Sequence, residues 1–441
     1  MGKGWLIGFI LMTIFPSGMI WAQEVPTPLT LEEGIKIALD RNLKLHSTLE
    51  GAAGSEFRRR AALTDFFAKW TGQYSYTRYN NPTTVGTGGI SSLGVAETSR
   101  DIFYLGTTVS QPLFAGGSIL SNYRNEKLGV DVSKTDVETV KRDIVLQVRE
   151  GYYNILRAEK FLEVARQTVK QFSAQLEVTK AFFEVGIVPK NDVLQAEVRL
   201  ANARQGLVKA ENDVILAKAS FNSLLRREID TPLQVMDILE YKSFPLRFEE
   251  SLKEALEKRP EIRNANLKIE QAKEGVKIAR SGFFPTLNLS GNYYRYSEEP
   301  GLTGDYRSER WTIQTLATFT LGDWGKTAYK VGESKVKVTQ ADDSKTQLIE
   351  GIVLEVKSNY QNMLVAEENI SVSEKAIEQA EENLRMNEER YKYQVATATD
   401  VLDAVTLLTQ ARVNYYGALS DFNILKARLE RAMGRMYPEL H

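Results

Sequence analysis

The sequence predicts a mainly α-helical chain with membrane β-strands, organised as two tandem structural repeats. Each repeat is expected to supply two strands and one long coiled-coil hairpin. Three observations carry this reading. The chain is written twice: LTLEEGIKIALDRN from Leu29 is echoed by LRFEESLKEALEKR from Leu246, an offset of 217. No proline interrupts Leu113 to Val188 or Gly301 to Tyr437, and proline is the residue a helix interior tolerates least. Between the helical stretches lie runs of about ten residues that alternate apolar and polar side chains, the period of a strand.

The first element is a leader. Residues 1–22 carry Lys3, an apolar run and a small Ala22 at the end, the pattern of a secretory signal peptide. The run is short and holds Pro16 and Gly18, which disfavours a permanent membrane helix. No later stretch approaches about 18 consecutive apolar residues, so no membrane-spanning helix is expected after cleavage. The chain has no cysteine, which excludes a lipid-bearing N-terminal Cys, a disulfide and a reactive thiol. Its 56 basic and 57 acidic residues nearly cancel, so no nucleic-acid partner is expected. His46 and His441 are the only histidines. With no nucleophile–base–acid arrangement in view either, neither enzyme activity nor a cofactor nor a metal site is expected.

Repeat one is placed at 23–228, with short helices, strands at about 70–79 and 102–111, and a helical hairpin at about 115–227. A linker at 229–245 leads to repeat two at 246–437, with strands at about 286–296 and 310–320 and a hairpin at about 325–435. Beyond the strands the repeat offset becomes 208, pairing Gly117 with Gly325, Tyr152 with Tyr360 and Asp192 with Asp400. The difference is absorbed in NNPTTVGTGGISSLG, a Gly/Thr/Ser-rich stretch of the first repeat. It lacks the Lys and the strand–loop–helix context of a phosphate cradle and is read as a surface loop.

The strands alternate cleanly. Leu287, Leu289, Gly291 and Tyr293 interleave with Asn288, Ser290, Asn292 and Tyr294; Trp311, Ile313, Thr315, Ala317 and Phe319 interleave with more polar residues. Such strands fit a membrane barrel and also a half-exposed soluble sheet. The secretion signal and the aromatics near the strand ends favour the membrane. Four strands cannot close a barrel, since the smallest membrane barrels need about eight, and open edges are not tolerated in lipid. Several chains must therefore share one barrel.

The hairpins follow from heptad-like spacing. Returning helices carry Val193, Ala196, Leu200, Ala203, Leu207 and Ala210 in repeat one, and Val401, Ala404, Leu408, Ala411 and Tyr415 in repeat two. These alternate steps of three and four, as coiled coils do. Outgoing helices carry Leu162, Val169, Leu176, Phe183 and Ile370, Ile377, Leu384, Tyr391. The hairpin tips then fall between Phe183 and Asp192 and between Tyr391 and Asp400. In NDVLQA, Asp192 followed by Gln195 reads as a capping box. In TDVLDA, Asp400 and Asp403 put a second carboxylate where repeat one has Gln195.

With the repeat in view, the sequence resembles the TolC-like outer-membrane efflux proteins (outer membrane factors) over nearly the whole mature chain. The resemblance lies in QPLFAGG (Gln111–Gly117), VGIVPKNDVLQAEVRL (Val185–Leu200) and YQVATATDVLDAVTLL (Tyr393–Leu408). It implies a homotrimer in the outer membrane, its shared 12-stranded β-barrel continuing into a periplasmic α-helical tunnel. It also implies a periplasmic adaptor (membrane fusion) protein and an inner-membrane pump of RND or ABC type as partners, beside outer-membrane lipid. The function implied is a passive channel-tunnel of a tripartite efflux or type I secretion system. The alternative, a periplasmic coiled-coil scaffold without channel activity, does not need the alternating strands.

By the same resemblance, Asp400 and Asp403 line the periplasmic gate, where threefold symmetry gathers six carboxylates, and Tyr391 bonds toward the neighbouring hairpin. Gly186, Val188, Pro189, Asp192, Ala396 and Thr397 are implied as adaptor-contacting tip residues. Family members carry an Arg four residues before the first gate Asp. Here that position is Ala396, so that ionic latch is missing.

Overall fold

The computed structural model describes residues 28–84, 98–297, 299–300 and 308–436. The leader and most of the Gly-rich stretch lie outside the described residues. Each repeat opens with two helices: α1 (Leu31–Arg41) and α2 (Leu43–Thr64) in the first, α5 (Phe248–Lys258) and α6 (Pro260–Arg280) in the second. Local chemistry sets their starts. Thr30 and Glu33 form a reciprocal capping box on α1, Asn42 caps α2 through its side chain, and Pro260 occupies the first helical position of α6.

Two strands follow in each repeat, β1 (Lys69–Thr84) and β2 (Thr98–Ala115), then β3 (Thr286–Ser297) and β4 (Ser308–Thr318). Those of repeat one outrun the expected bounds: β1 runs five residues beyond 79, into the start of the expected loop. β2 continues through Pro112 because the register slips between Pro112 and Phe114, the kind of irregularity at which a proline fits a strand. β4 ends at Thr318, which leaves Phe319 outside it.

All four strands form one antiparallel sheet in the order β1-β2-β3-β4. Register sorts its two faces. The row Thr71, Thr108, Asn292, Thr312 is polar, and Thr108 Oγ1 donates to Asn292 Oδ1 at 2.8 Å while Asn292 Nδ2 donates to Thr312 Oγ1 at 3.2 Å. The opposite face carries Trp70, Val109, Trp311 and Ile313, all exposed in the single chain. β1 and β4 are edges with no strand beside them among the described residues.

Two long helical hairpins extend from the sheet. α3 (Ser118–Glu184) and α7 (Lys326–Lys392) are each 67 residues, and α4 (Lys190–Leu224) and α8 (Ala398–Ala432) are each 35. At about 1.5 Å per residue the outgoing rods span roughly 100 Å. Left-handed backbone recurs at the same points of both repeats: Gly116 and Trp324, Gly117 and Gly325, Gly186 and Gln394, Arg226 and Gly434. The chain reverses or enters a helix at each, so the repeat is conserved in backbone even where glycine is not kept.

α3 packs on α4 and α8, and α7 on α8, so the two hairpins lie side by side. Val193, Ala196, Leu200, Val401, Ala404 and Leu408 are buried along the seam. One outgoing position departs from the heptad reading. Phe183 is exposed, and its neighbour Phe182 packs inward instead, in line with Thr168 and Gln175, which are buried fourteen and seven residues earlier on α3. No helix among the described residues is long and apolar enough to cross a membrane.

Candidate functional site

The hairpin ends are built from two dissimilar turns. In repeat one, Gly186 takes φ 78°, its N–H donates to Phe183 O at 2.9 Å, and Ile187 N–H donates to Phe182 O at 2.8 Å. That pattern closes helix C-termini, and glycine suits it. In repeat two, Gln394 makes the same turn at φ 60°, with Gln394 N–H on Tyr391 O and Val395 N–H on Arg390 O. Val188, Pro189 and Ala396 sit in these turns; Pro189 is exposed, Val188 and Ala396 half-buried.

The returning helices begin differently. α8 starts with a full capping box whose N-cap is Thr397. Thr397 N–H and Thr397 Oγ1 donate to Asp400 Oδ2 at 2.7 and 2.8 Å, and Asp400 N–H donates to Thr397 Oγ1 at 3.3 Å. The backbone N–H of Thr397, followed by its hydroxyl, holds the Asp400 carboxyl below its ordinary pKa. Asp400 is thus the third helical residue, reaching back to the cap.

α4 does not use the box expected from Asp192 and Gln195. Its N-cap is Pro189, which has no side-chain oxygen, and no side-chain cap bond forms. Asp192 sits three residues in, with its own N–H on Pro189 O at 3.1 Å. Its charge still faces the favourable end of the helix dipole. Gln195 points elsewhere: its Oε1 accepts Thr399 Oγ1 of α8 at 3.0 Å.

One turn beyond Thr399, Asp403 Oδ1 accepts Arg199 Nη2 of α4 at 2.9 Å. The latch missing at Ala396 is therefore not the end of ionic contact here, because a different pair joins the hairpins. The residue pattern gave no sign of Arg199. It lies 204 positions from Asp403, and the contact depends on how the two helices are rotated toward each other.

Tyr391 is 3% exposed at the end of α7. Its ring lies 5.3 Å from that of Phe182, and its hydroxyl donates to Thr179 Oγ1 of α3 at 3.3 Å. Burial pushes the phenol pKa up, the bond to Thr179 works against that rise, and the Asp192 charge adds to it. Thr179 is fully buried and donates to Gln175 O at 2.9 Å. A cleft of about 500 Å³ opens beside this contact, with Lys170, Glu388, Lys392 and Arg412 on its walls.

The structure thus gathers Thr397, Asp400 and Asp403 on the first turns of α8 and sets Gln195 and Arg199 against them, while Tyr391 ties the same hairpin to α3. Gly186, Val188 and Pro189 remain on the neighbouring tip. Among the described residues, no three His, Asp or Glu side chains gather as a metal site requires.

Residues 38–225 and 251–435, most of both repeats, match the family model described as "Outer membrane efflux protein". The chain belongs to the outer membrane efflux protein family. Outer membrane protein TolC of Vibrio cholerae is 24% identical over 349 residues, covering 77% of this chain and 78% of that one. Outer membrane efflux protein BepC of Brucella suis is 20% identical over 428 residues, covering 97% and 90%. Among solved structures, CusC superposes with a TM-score of 0.82 at 18% identity, covering 92% of both chains. The efflux protein described here is therefore an outer-membrane channel protein whose helical hairpins make up a large periplasmic part, as the sequence predicts.

Proposed function

We propose that three copies of this efflux protein close one duct. Twelve strands form the barrel in the outer membrane, and six hairpins form the tunnel below it. Cargo passes passively, delivered by an inner-membrane pump of RND or ABC type through a periplasmic adaptor, in a tripartite efflux or type I secretion system. The observation that carries this reading is the sheet. It has one polar and one apolar face, as a lumen and lipid require, and it has two open edges that lipid forbids. Pairing β4 of one copy with β1 of the next removes every edge.

Asp400, Asp403 and Tyr391 are read as the periplasmic gate, supported by the carboxylates clustered at the start of α8 and the buried Tyr391–Thr179 contact between hairpins. The tips, with Gly186, Pro189 and Thr397 exposed and Val188, Asp192 and Ala396 half-buried, are read as facing the adaptor. The assembly is tested by the native mass of the detergent-purified protein together with its far-UV β-signal. A stable trimer that conducts ions in planar bilayers is expected. A monodisperse monomer that keeps its strands would overturn the shared barrel.

A further inference from the structure

We propose that Arg199 is a selectivity-determining residue of the entrance, which by pairing with Asp403 withholds that carboxylate until the two hairpins part. The proposal rests on the reading of Asp400 and Asp403 as entrance residues.

α4 and α8 belong to different hairpins, and two polar rungs join them near their starts. Thr399 donates to Gln195 at 3.0 Å and Arg199 donates to Asp403 at 2.9 Å. On each helix the two partners are four residues apart, which puts them on one stripe a turn apart. The rungs therefore act together and separate together. Asp400 is held differently, by Thr397 of its own helix, so it moves with α8 and keeps its partner whatever α4 does.

The charge count follows. With Arg199 seated, Asp403 is ion-paired and each copy offers Asp400, which makes no ion pair among the described residues, as its open entrance carboxylate, three in a trimer where Asp403 would otherwise make six. Arg199 and Asp403 side chains are 43% and 56% exposed. At that exposure an ion pair is weak enough to break and re-form without unfolding anything. When hairpin two swings away from hairpin one, Arg199 stays with α4 and Asp403 leaves with α8. The mouth then gains one carboxylate per copy as it widens, and cation preference rises with opening.

The test uses the full-length trimer in planar bilayers, reading reversal potentials under a KCl gradient and resting conductance. Arg199→Gln is expected to raise the cation-to-anion permeability ratio, whereas Arg199→Lys keeps it near that of the unaltered protein. Arg199→Asp and Asp403→Arg each set like charges face to face and should raise resting conductance, by up to about fivefold per copy. The double reversal Arg199→Asp/Asp403→Arg re-forms the pair and should return conductance to its starting level. A double reversal as conductive as the single reversals would overturn the pairing. An unchanged ratio in Arg199→Gln while Asp400→Asn shifts it would overturn the inference and leave the entrance reading standing. If neither variant moves the ratio, the entrance reading falls with it.

Discussion

Thr397→Ala and Asp400→Asn separate two roles that share one turn of α8. The first variant keeps every charge and removes the hydroxyl that accepts Asp400 N–H at 3.3 Å and donates to its carboxylate at 2.8 Å. The bond from the residue 397 N–H at 2.7 Å survives. Losing an N-cap hydroxyl costs roughly 0.5–2 kcal/mol, and one lost bond is long, so about 1 kcal/mol is expected. The cost is felt because Ala398, Val401 and Leu402 in the same turns are each 1% exposed. Asp400→Asn keeps an oxygen for the residue 397 N–H and loses the charge at the helix N-terminus, about 0.3–1 kcal/mol.

Stability therefore falls by similar amounts, but charge changes in one variant alone. An ion about one Debye length, ~8 Å, from a carboxylate gains about 0.5 kcal/mol in water before screening and about 0.2 after it. Three carboxylates then give about 0.6 kcal/mol, gained by cations and lost by anions, a difference of about 1.2 kcal/mol. This corresponds to a permeability ratio changed roughly five- to tenfold. Thermal melting of the purified assembly and reversal potentials in bilayers read the two effects separately. Equal shifts of the ratio in both variants, or none in Asp400→Asn, would refute the charge role and leave Asp400 as a helix-start acid.

Three further outcomes test the packing and the turns. Ala411→Leu places extra volume at a position 7% exposed on α8 and should cost about 1–3 kcal/mol; an unchanged melting temperature would move Ala411 off the seam. Gln394→Gly should stabilise by about 0.5–1 kcal/mol, since its φ of 60° strains any side chain, while Gly186→Ala, at φ 78°, should destabilise. Urea midpoints with the same sign for both would contradict the turn geometry. Arg435 and then Lys258, at 2.7 and 2.8 Å, hold the Glu254 carboxyl down at about 2. Because the folded pKa is depressed, this stability is present above the unfolded value near 4.5 and is lost as pH falls toward 2. Glu254→Gln should flatten the urea midpoint between pH 5 and pH 3, and an equally steep acid loss in the variant would assign it to other groups.

The repeat, the strand–strand–hairpin order and the matched rods are all legible in the unfolded chain. Proline-free runs, steps of three and four, and period-two alternation are each written within a few residues of chain. The chain also places an acidic pair at the head of α8, because helix starts draw acids locally. What those acids touch is settled by packing between helices. Asp192 lost its expected cap because Pro189 took the N-cap position, a choice set by where the turn after Gly186 releases the chain. Phe182 rather than Phe183 meets Tyr391, because the inward stripe of α3 passes through Thr168 and Gln175, fourteen and seven residues before Phe182, a choice of heptad register that packing makes. Arg199 finds Asp403, and Gln195 finds Thr399, across 204 residues of chain. Those contacts depend on the rotation of two helices about their own axes, which packing of the whole seam fixes and no local pattern encodes.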